Sequence, residues 1–175
     1  MPTTYKLISK VTVGSGGAAN ISFTSIPQTY TDLCLVFSAR ADATIGDPYY
    51  NCYLLTNAFP LDGGADTRYL LGNGSSASSA SDGNNILLLG ITSSGATAST
   101  FGNTSAYFTN YASTTINKSV SIDQVSENNA TASAAMLSAG LFPANDAITS
   151  ITIETFSTGN FVQYSTARLY GIKNS

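Results

Sequence analysis

Histidine is missing from this chain altogether. Its absence removes the usual acid or base near neutral pH, the Ser-His-Asp triad and the commonest transition-metal ligand. Cysteine occurs only twice, as Cys34 and Cys52. Two thiols without histidine cannot close a tetrahedral zinc site alone. Both cysteines lie inside apolar runs, Leu33 to Phe37 and Cys52 to Leu55. A disulfide between neighbouring strands is geometrically possible, but the N-terminus lacks the pattern of a secretion signal, and a chain made in a reducing compartment is expected to keep buried free thiols.

Charge is also scarce. Charged residues make up 10% of the chain, against roughly 25% in average soluble proteins. The surface must therefore be built from Ser, Thr, Asn, Gln and Tyr. Seven basic and ten acidic residues are scattered singly to a net charge of −3. No basic stripe can track a phosphate backbone, so no nucleic-acid partner is expected. Apolar runs such as Ile86 to Leu89 fall far short of the ~20 residues that cross a bilayer. No membrane partner is expected either.

What is present is strand signal. At 175 residues and 43% hydrophobic content, the chain can bury a core, and it is read as a single β-sandwich domain over residues 1–175. Side chains alternate with a period of two in Tyr5 to Val13, Asn20 to Ile26, Lys118 to Val125 and Met136 to Leu141. Leu33 to Ala39 is apolar on both faces, as a central strand would be. Tyr49 to Leu55, Thr67 to Leu71, Ile86 to Ile91 and Phe101 to Tyr111 complete the middle of the chain. A helix over Ala130 to Gly140 is disfavoured by Thr131, Ser133, Ser138 and Gly140 despite its alanines.

Turn residues separate these runs. Gly14 to Gly17 is read as a hairpin turn, and Asn73-Gly74 as another. Ser75 to Asn85 and Thr92 to Ser99 are read as exposed, mobile Ser and Ala loops. Ile148 to Ile172 is read as a closing hairpin with its turn at Gly159-Asn160. The total is nine to eleven strands, giving an all-β, single jelly-roll-like antiparallel β-sandwich.

Few residues invite chemistry. A glycosidase needs two carboxylates at a fixed separation, and only Asp123 and Glu154 lie within strands. Asp42, Asp47, Asp62, Asp66 and Asp82 read as solvated loop charges. Asp62 to Asp66 lacks the ligand density of a calcium loop, and Gly14 to Gly17 lacks the Lys and helix of a phosphate loop. The glycosylation-type tripeptides at Asn20, Asn73, Asn103, Asn117 and Asn129 arise by chance in so Asn-, Ser- and Thr-rich a chain. No catalytic, cofactor-binding or metal-binding residue is assigned, and no enzyme activity is expected. Tyr49, Tyr50, Tyr107, Tyr111, Tyr164 and Tyr170 suit interface contacts and strands equally well.

Three segments carry a family likeness: Ser25 to Val36 (SIPQTYTDLCLV), Asn117 to Asp123 (NKSVSID) and Ala167 to Lys173 (ARLYGIK). In these the chain resembles virion structural proteins of tailed phages, including cyanophages. The resemblance implies a jelly-roll sandwich that decorates or cements a capsid, with the major capsid protein as partner, a homotrimeric assembly, and a place in the virion after assembly in the host cytoplasm. The alternative it implies is a receptor-binding or tail-fibre module that recognises host surface glycans through the Ser75 to Asn85 and Thr92 to Ser99 segments. It carries no catalytic motif.

Overall fold

Strict alternation over Lys118–Ser126 and Ala134–Phe142 sends every second side chain inward, so that buried and exposed residues change places without a break along both strands. The same two-residue period organises the whole chain. The computed structural model describes residues 5–44, 49–57, 66–82, 87–127, 133–156 and 159–173. Among them are twelve strands and no helix: β1 (Tyr5–Thr12), β2 (Asn20–Phe23), β3 (Asp32–Ala39), β4 (Tyr49–Thr56), β5 (Asp66–Gly72), β6 (Ala77–Asp82), β7 (Leu87–Thr92), β8 (Gly102–Phe108), β9 (Lys118–Ser126), β10 (Ala134–Phe142), β11 (Ile151–Thr155) and β12 (Thr166–Ile172). The all-β expectation therefore holds.

The strands form two antiparallel sheets that pack as a β-sandwich. One has eight strands in the order β1-β12-β3-β8-β9-β10-β5-β6, and the other four in the order β2-β11-β4-β7. Their facing sides meet in one core, with Leu33, Leu35, Phe37 and Leu169 from the large sheet against Ile21, Leu54, Ile151 and Ile153 from the small one. Each such side chain stabilises the fold by about 1.5–3 kcal/mol.

Four expectations need correction. First, β11 and β12 are not a hairpin: β11 lies between β2 and β4, while β12 lies between β1 and β3 in the other sheet. Fully buried Phe161 in their connection bridges to Ala18 and Ala41 and carries the chain from one sheet to the other. Alternation reveals which face is buried, but it does not name the neighbouring strand. Secondly, the Gly14 to Gly17 turn joins β1 and β2, which also belong to different sheets, so it is no hairpin turn. Gly17 is required there because its φ is +70° and an added Cβ would lie 3.1 Å from the Phe161 carbonyl oxygen.

Thirdly, the Ser and Ala segment after Asn73-Gly74 contains β6, paired in unbroken register with β5 from Thr67↔Asp82 to Gly72↔Ala77. The turn itself is as expected, with Asn73 Oδ1 accepting from the backbone amides of Ser75 and Ser76 at 3.0 and 2.8 Å. Residues 83–85 of that expected loop lie outside the described residues. The strand count thus rises to twelve. Fourthly, the segment after Thr92 is tied down rather than free. The Arg40 guanidinium donates to the carbonyls of Thr97 (2.8 Å), Thr100 (3.2 Å), Ser94 (3.1 Å) and Ala96 (3.0 Å). A rigid fork of donors suits such a ring of carbonyls.

At the opposite end of the sandwich a buried ammonium does similar work. Lys118 is 1% exposed, and its Nζ donates to the carbonyls of Asn145 (2.7 Å) and Asp146 (2.6 Å). Burial lowers its pKa. Nearby, the carboxylate of Asp32 accepts from the Tyr107 hydroxyl and the Asn110 amide, each at 2.8 Å. The segments Ser25 to Val36, Asn117 to Asp123 and Ala167 to Lys173 are thus framework: they hold Asp32, Lys118 and the inner strand β12.

Candidate functional site

The outer face of the eight-stranded sheet is where the chain presents a shaped surface. Cross-strand partners place Arg168, Val36, Ser105, Asp123, Leu137, Leu70 and Ser79 in one row across seven strands. With strands ~4.8 Å apart, that row is about 29 Å long. A second row runs parallel to it through Tyr170, Cys34, Tyr107, Ser121, Ala139, Arg68 and Ser81. Both rows face away from the core because their neighbours along each strand, such as Leu169, Leu35, Ala106 and Ile122, face into it.

The part of this face formed by β8, β9, β10, β5 and β6 is concave. An open groove of about 770 Å³ lies over Ser105, Tyr107, Ser121, Asp123, Leu137, Ala139, Arg68, Leu70, Ser79 and Ser81. A second hollow of about 500 Å³ shares Leu70, Ser79, Asp123 and Leu137 with it and continues toward Ala77 and Ala135. Small side chains along the floor and the inherent twist of the sheet create the trough.

Its character is mixed. Leu70 is 61% and Leu137 58% exposed, and Val125 and Leu141 on the same face are 40% and 41% exposed. Isolated exposed leucines need no explanation, but Leu70 and Leu137 are cross-strand partners and Val125 is diagonal to Leu137, so these three form a patch, while Leu141 lies four residues along β10 beyond the row of Ala139 and Arg68. Arg68 Nη2 stands 3.8 Å from Asp66 Oδ2, in a pair that is solvent-exposed on both sides. Such a pair adds little stability and leaves both charges open to a partner.

The candidate residues fall into place as follows. Asp123 and Glu154 belong to different sheets, so the strand carboxylates are not brought together. Asp66 opens β5, and Asp47 and Asp62 lie outside the described residues. Asp42 accepts from the backbone amide and side-chain amide of Asn160, at 2.7 and 3.1 Å, and so fastens two loops. Among the described residues no cluster of three potential metal ligands occurs.

The tyrosines divide. Tyr111 is fully buried, donates to the Pro27 carbonyl and accepts from the Tyr30 amide at 3.4 Å. Tyr107 lines the groove, and its pKa is pushed up to about 12, first by its hydrogen bond to Asp32 and then by burial. Tyr170 packs edge-on against Tyr5 at 6.3 Å, and Tyr164 is 70% exposed. The side chains of Tyr49 and Tyr50, like residue Asn129, lie outside the described set. Asn20, Asn73, Asn103 and Asn117 are all exposed.

The buried-thiol expectation holds: Cys34 and Cys52 are free and buried, one on β3 and the other on β4 in the opposite sheet. Burial raises both thiol pKa values from 9.0, that of Cys52 strongly. This fixes a pH dependence. The thiols stay neutral in the fold but ionise in the unfolded chain above pH 9, so the unfolded state binds fewer protons and stability falls as pH rises. Tyr107 and Tyr111, whose pKa values are raised from 10.0, act in the same direction from pH 10. Lys118 opposes them, because its lowered pKa makes folding release a proton as pH approaches 10.5. Four groups outweigh one. Melting temperature is expected to fall steadily above pH 9, and Cys52→Ala is expected to make that fall shallower, with Cys34 left to drive it below pH 10. A flat profile from pH 8 to 10.5 would contradict this account.

The groove was not legible in the sequence, since its walls come from strands far apart along the chain. Only the outward parity of Asp123 within Lys118–Ser126 hinted at it. No family model matches this chain, and no curated protein or solved structure matches it either.

Proposed function

We propose that this chain is a virion structural subunit that decorates or cements a phage capsid, docking on the major capsid protein through the outer face of the eight-stranded sheet. The observation that carries this reading is the apolar patch of Leu70, Leu137 and Val125, with exposed Leu141 further along the same broad, sparsely charged face. Burying such a patch between neighbouring capsid subunits stabilises the assembled shell by mass action.

The strand order supports a jelly roll beneath this role. The pairs β1–β12, β2–β11, β3–β8 and β4–β7 are the four rungs of one long antiparallel ribbon, folded so that alternate rungs fall in opposite sheets. Such an arrangement of eight strands in two sheets is the one a jelly roll calls for, and it supports that reading. The hairpins β5–β6 and β9–β10 then extend one sheet beyond the other, and it is this extension that carries the groove.

The test is cosedimentation with empty shells. The protein is expected to bind and to raise shell resistance to heat and osmotic shock, while a Leu70→Glu/Leu137→Glu variant is expected to bind at least ~10-fold more weakly, about 1.4 kcal/mol. If wild-type protein fails to bind and shells lacking it withstand both stresses unchanged, the reading falls.

A second reading, recognition of host surface glycans, is favoured by the polar fringe of the same trough, where Tyr107, Asp123, Arg68 and four serines surround the leucines. Its mark is binding of the isolated protein to host cells that Asp123→Leu abolishes while shell binding survives.

A further inference from the structure

The seven basic residues are scattered singly along the sequence, but the fold gathers four of them. Lys6 and Lys10 lie on β1, Arg168 on β12, and Lys173 just beyond its end. Neither strand holds an acidic residue, although the chain has ten and a net charge of −3. Among the described residues none of the four makes an ion pair. Lysines on an edge strand discourage pairing with another chain, which accounts for Lys6 and Lys10. It does not account for Arg168, which stands on an inner strand as the direct cross-strand partner of Lys10. Like charges set opposite one another in a ladder are destabilising. A breach of a local rule with no compensation inside the fold is where a functional site is expected.

The borders of this pair are specific as well. Both side chains point outward, because Arg168 alternates with buried Ala167 and Leu169. The next outward pair in one direction is Leu7 with Tyr170, and Tyr5 meets Tyr170 edge-on at 6.3 Å. Tyr5 is 53% and Leu7 49% exposed. In the other direction Thr12 faces Thr166, with Ser38 of β3 next to it. The two cations thus have an aromatic and apolar patch on one side and three hydroxyls on the other.

We propose that this patch binds an acidic polysaccharide, with a sugar carboxylate seated between Lys10 and Arg168. The Arg168 fork can take both carboxylate oxygens while Lys10 supplies a point charge. A sugar ring has an apolar face of C–H groups and a rim of hydroxyls, so Tyr5, Leu7 and Tyr170 suit the one, and Thr12, Thr166 and Ser38 the other. Lys6 lies opposite Gly171, which faces inward between Tyr170 and the end of the strand. Two cations on the outer face are too few to track a phosphate backbone, which carries a charge at every nucleotide. The patch stands five strand spacings, about 24 Å, from Leu70. It is separate from the trough and rests neither on capsid docking nor on glycan recognition there.

Calorimetric titration of the full chain with polygalacturonate tests it, with dextran as the uncharged control and polyglutamate and double-stranded DNA as other polyanions. Polygalacturonate is expected to bind and dextran not to. Lys10→Glu turns the repelling pair into an attracting one, so it is expected to weaken binding at least ~10-fold while raising the melting temperature by about 1–4 °C. Arg168→Gln is expected to weaken binding to a similar degree, and Lys10→Arg to preserve it. A wild-type chain that does not bind polygalacturonate, a Lys10→Glu variant that binds as tightly as wild type or melts below it, or equal affinity for polyglutamate or DNA would each overturn the proposal. If Arg168→Gln fails to fold, Lys10→Glu decides alone.

Discussion

Removal of residues 164–175 yields an insoluble chain with no cooperative melting transition. The deleted segment contains β12, an inner strand with β1 on one side and β3 on the other. Its loss exposes two ladders at once. Ala167 and Leu169 are fully buried and Ile172 is 2% exposed, so the two large side chains alone forfeit about 3–6 kcal/mol. Against a typical total stability of about 5–15 kcal/mol, that loss and the broken ladders together leave nothing. The newly bared edge of β3 then pairs with other chains. Solubility, circular dichroism and a thermal melt check the outcome. A soluble truncation that melts like the whole chain would show that β12 is misplaced.

The second large effect is expected at Gly171. A Cβ built on this residue would sit 2.3 Å from Cγ and 2.4 Å from Cδ2 of Tyr30. Contact that close is impossible, so any side chain here must displace the ring. Tyr30 cannot move freely, because its amide donates to the Tyr111 hydroxyl and the next amide, that of Thr31, donates to the Ile172 carbonyl at 2.8 Å. Overpacking of this kind costs about 1–3 kcal/mol. For Gly171→Val the upper part of that range is expected, with a fall in melting temperature of roughly 8 °C for a chain of this size. Adding Tyr30→Ala should recover part of the loss, with a coupling above about 1 kcal/mol. A valine variant that melts with the wild type, or a pair of substitutions whose effects simply add, would contradict the contact.

These two sites show what was legible in the sequence. Alternating burial in Lys118–Ser126, Ala134–Phe142 and Ile151–Thr155 is written directly into the order of residues, because side-chain direction in a strand has a period of two. β6 escaped notice because Ala and Ser lack the β-branching and aromatic bulk that mark a strand, and only its pairing with β5 makes it one. The closing hairpin was misread for a different reason: Ile153 and Leu169 reveal an inward face each, yet nothing in their spacing says that the faces belong to opposite sheets. Gly171 and Tyr30 lie far apart along the chain, and that they touch could be learned only from the fold. The groove needed still more, since Ser105, Asp123, Leu137, Leu70 and Ser79 come together only once five strands are in register.

Arg40 and Lys118 teach a related lesson. In a chain with only seven basic residues, both donate to carbonyls of loop segments. Part of the scarce charge is thus used for framework, and the outer sheet face carries mostly small and apolar side chains around Arg68, Asp123 and Arg168. That division underlies the proposed role, in which the chain works by covering surface.

The most direct measurement of that role is a virion reconstruction in which this chain can be traced. The account predicts density for it on the head shell, with Leu70, Leu137, Val125 and Leu141 of the large sheet buried against the major capsid protein. Density at the tail, or on the head with that face turned to solvent, would contradict it.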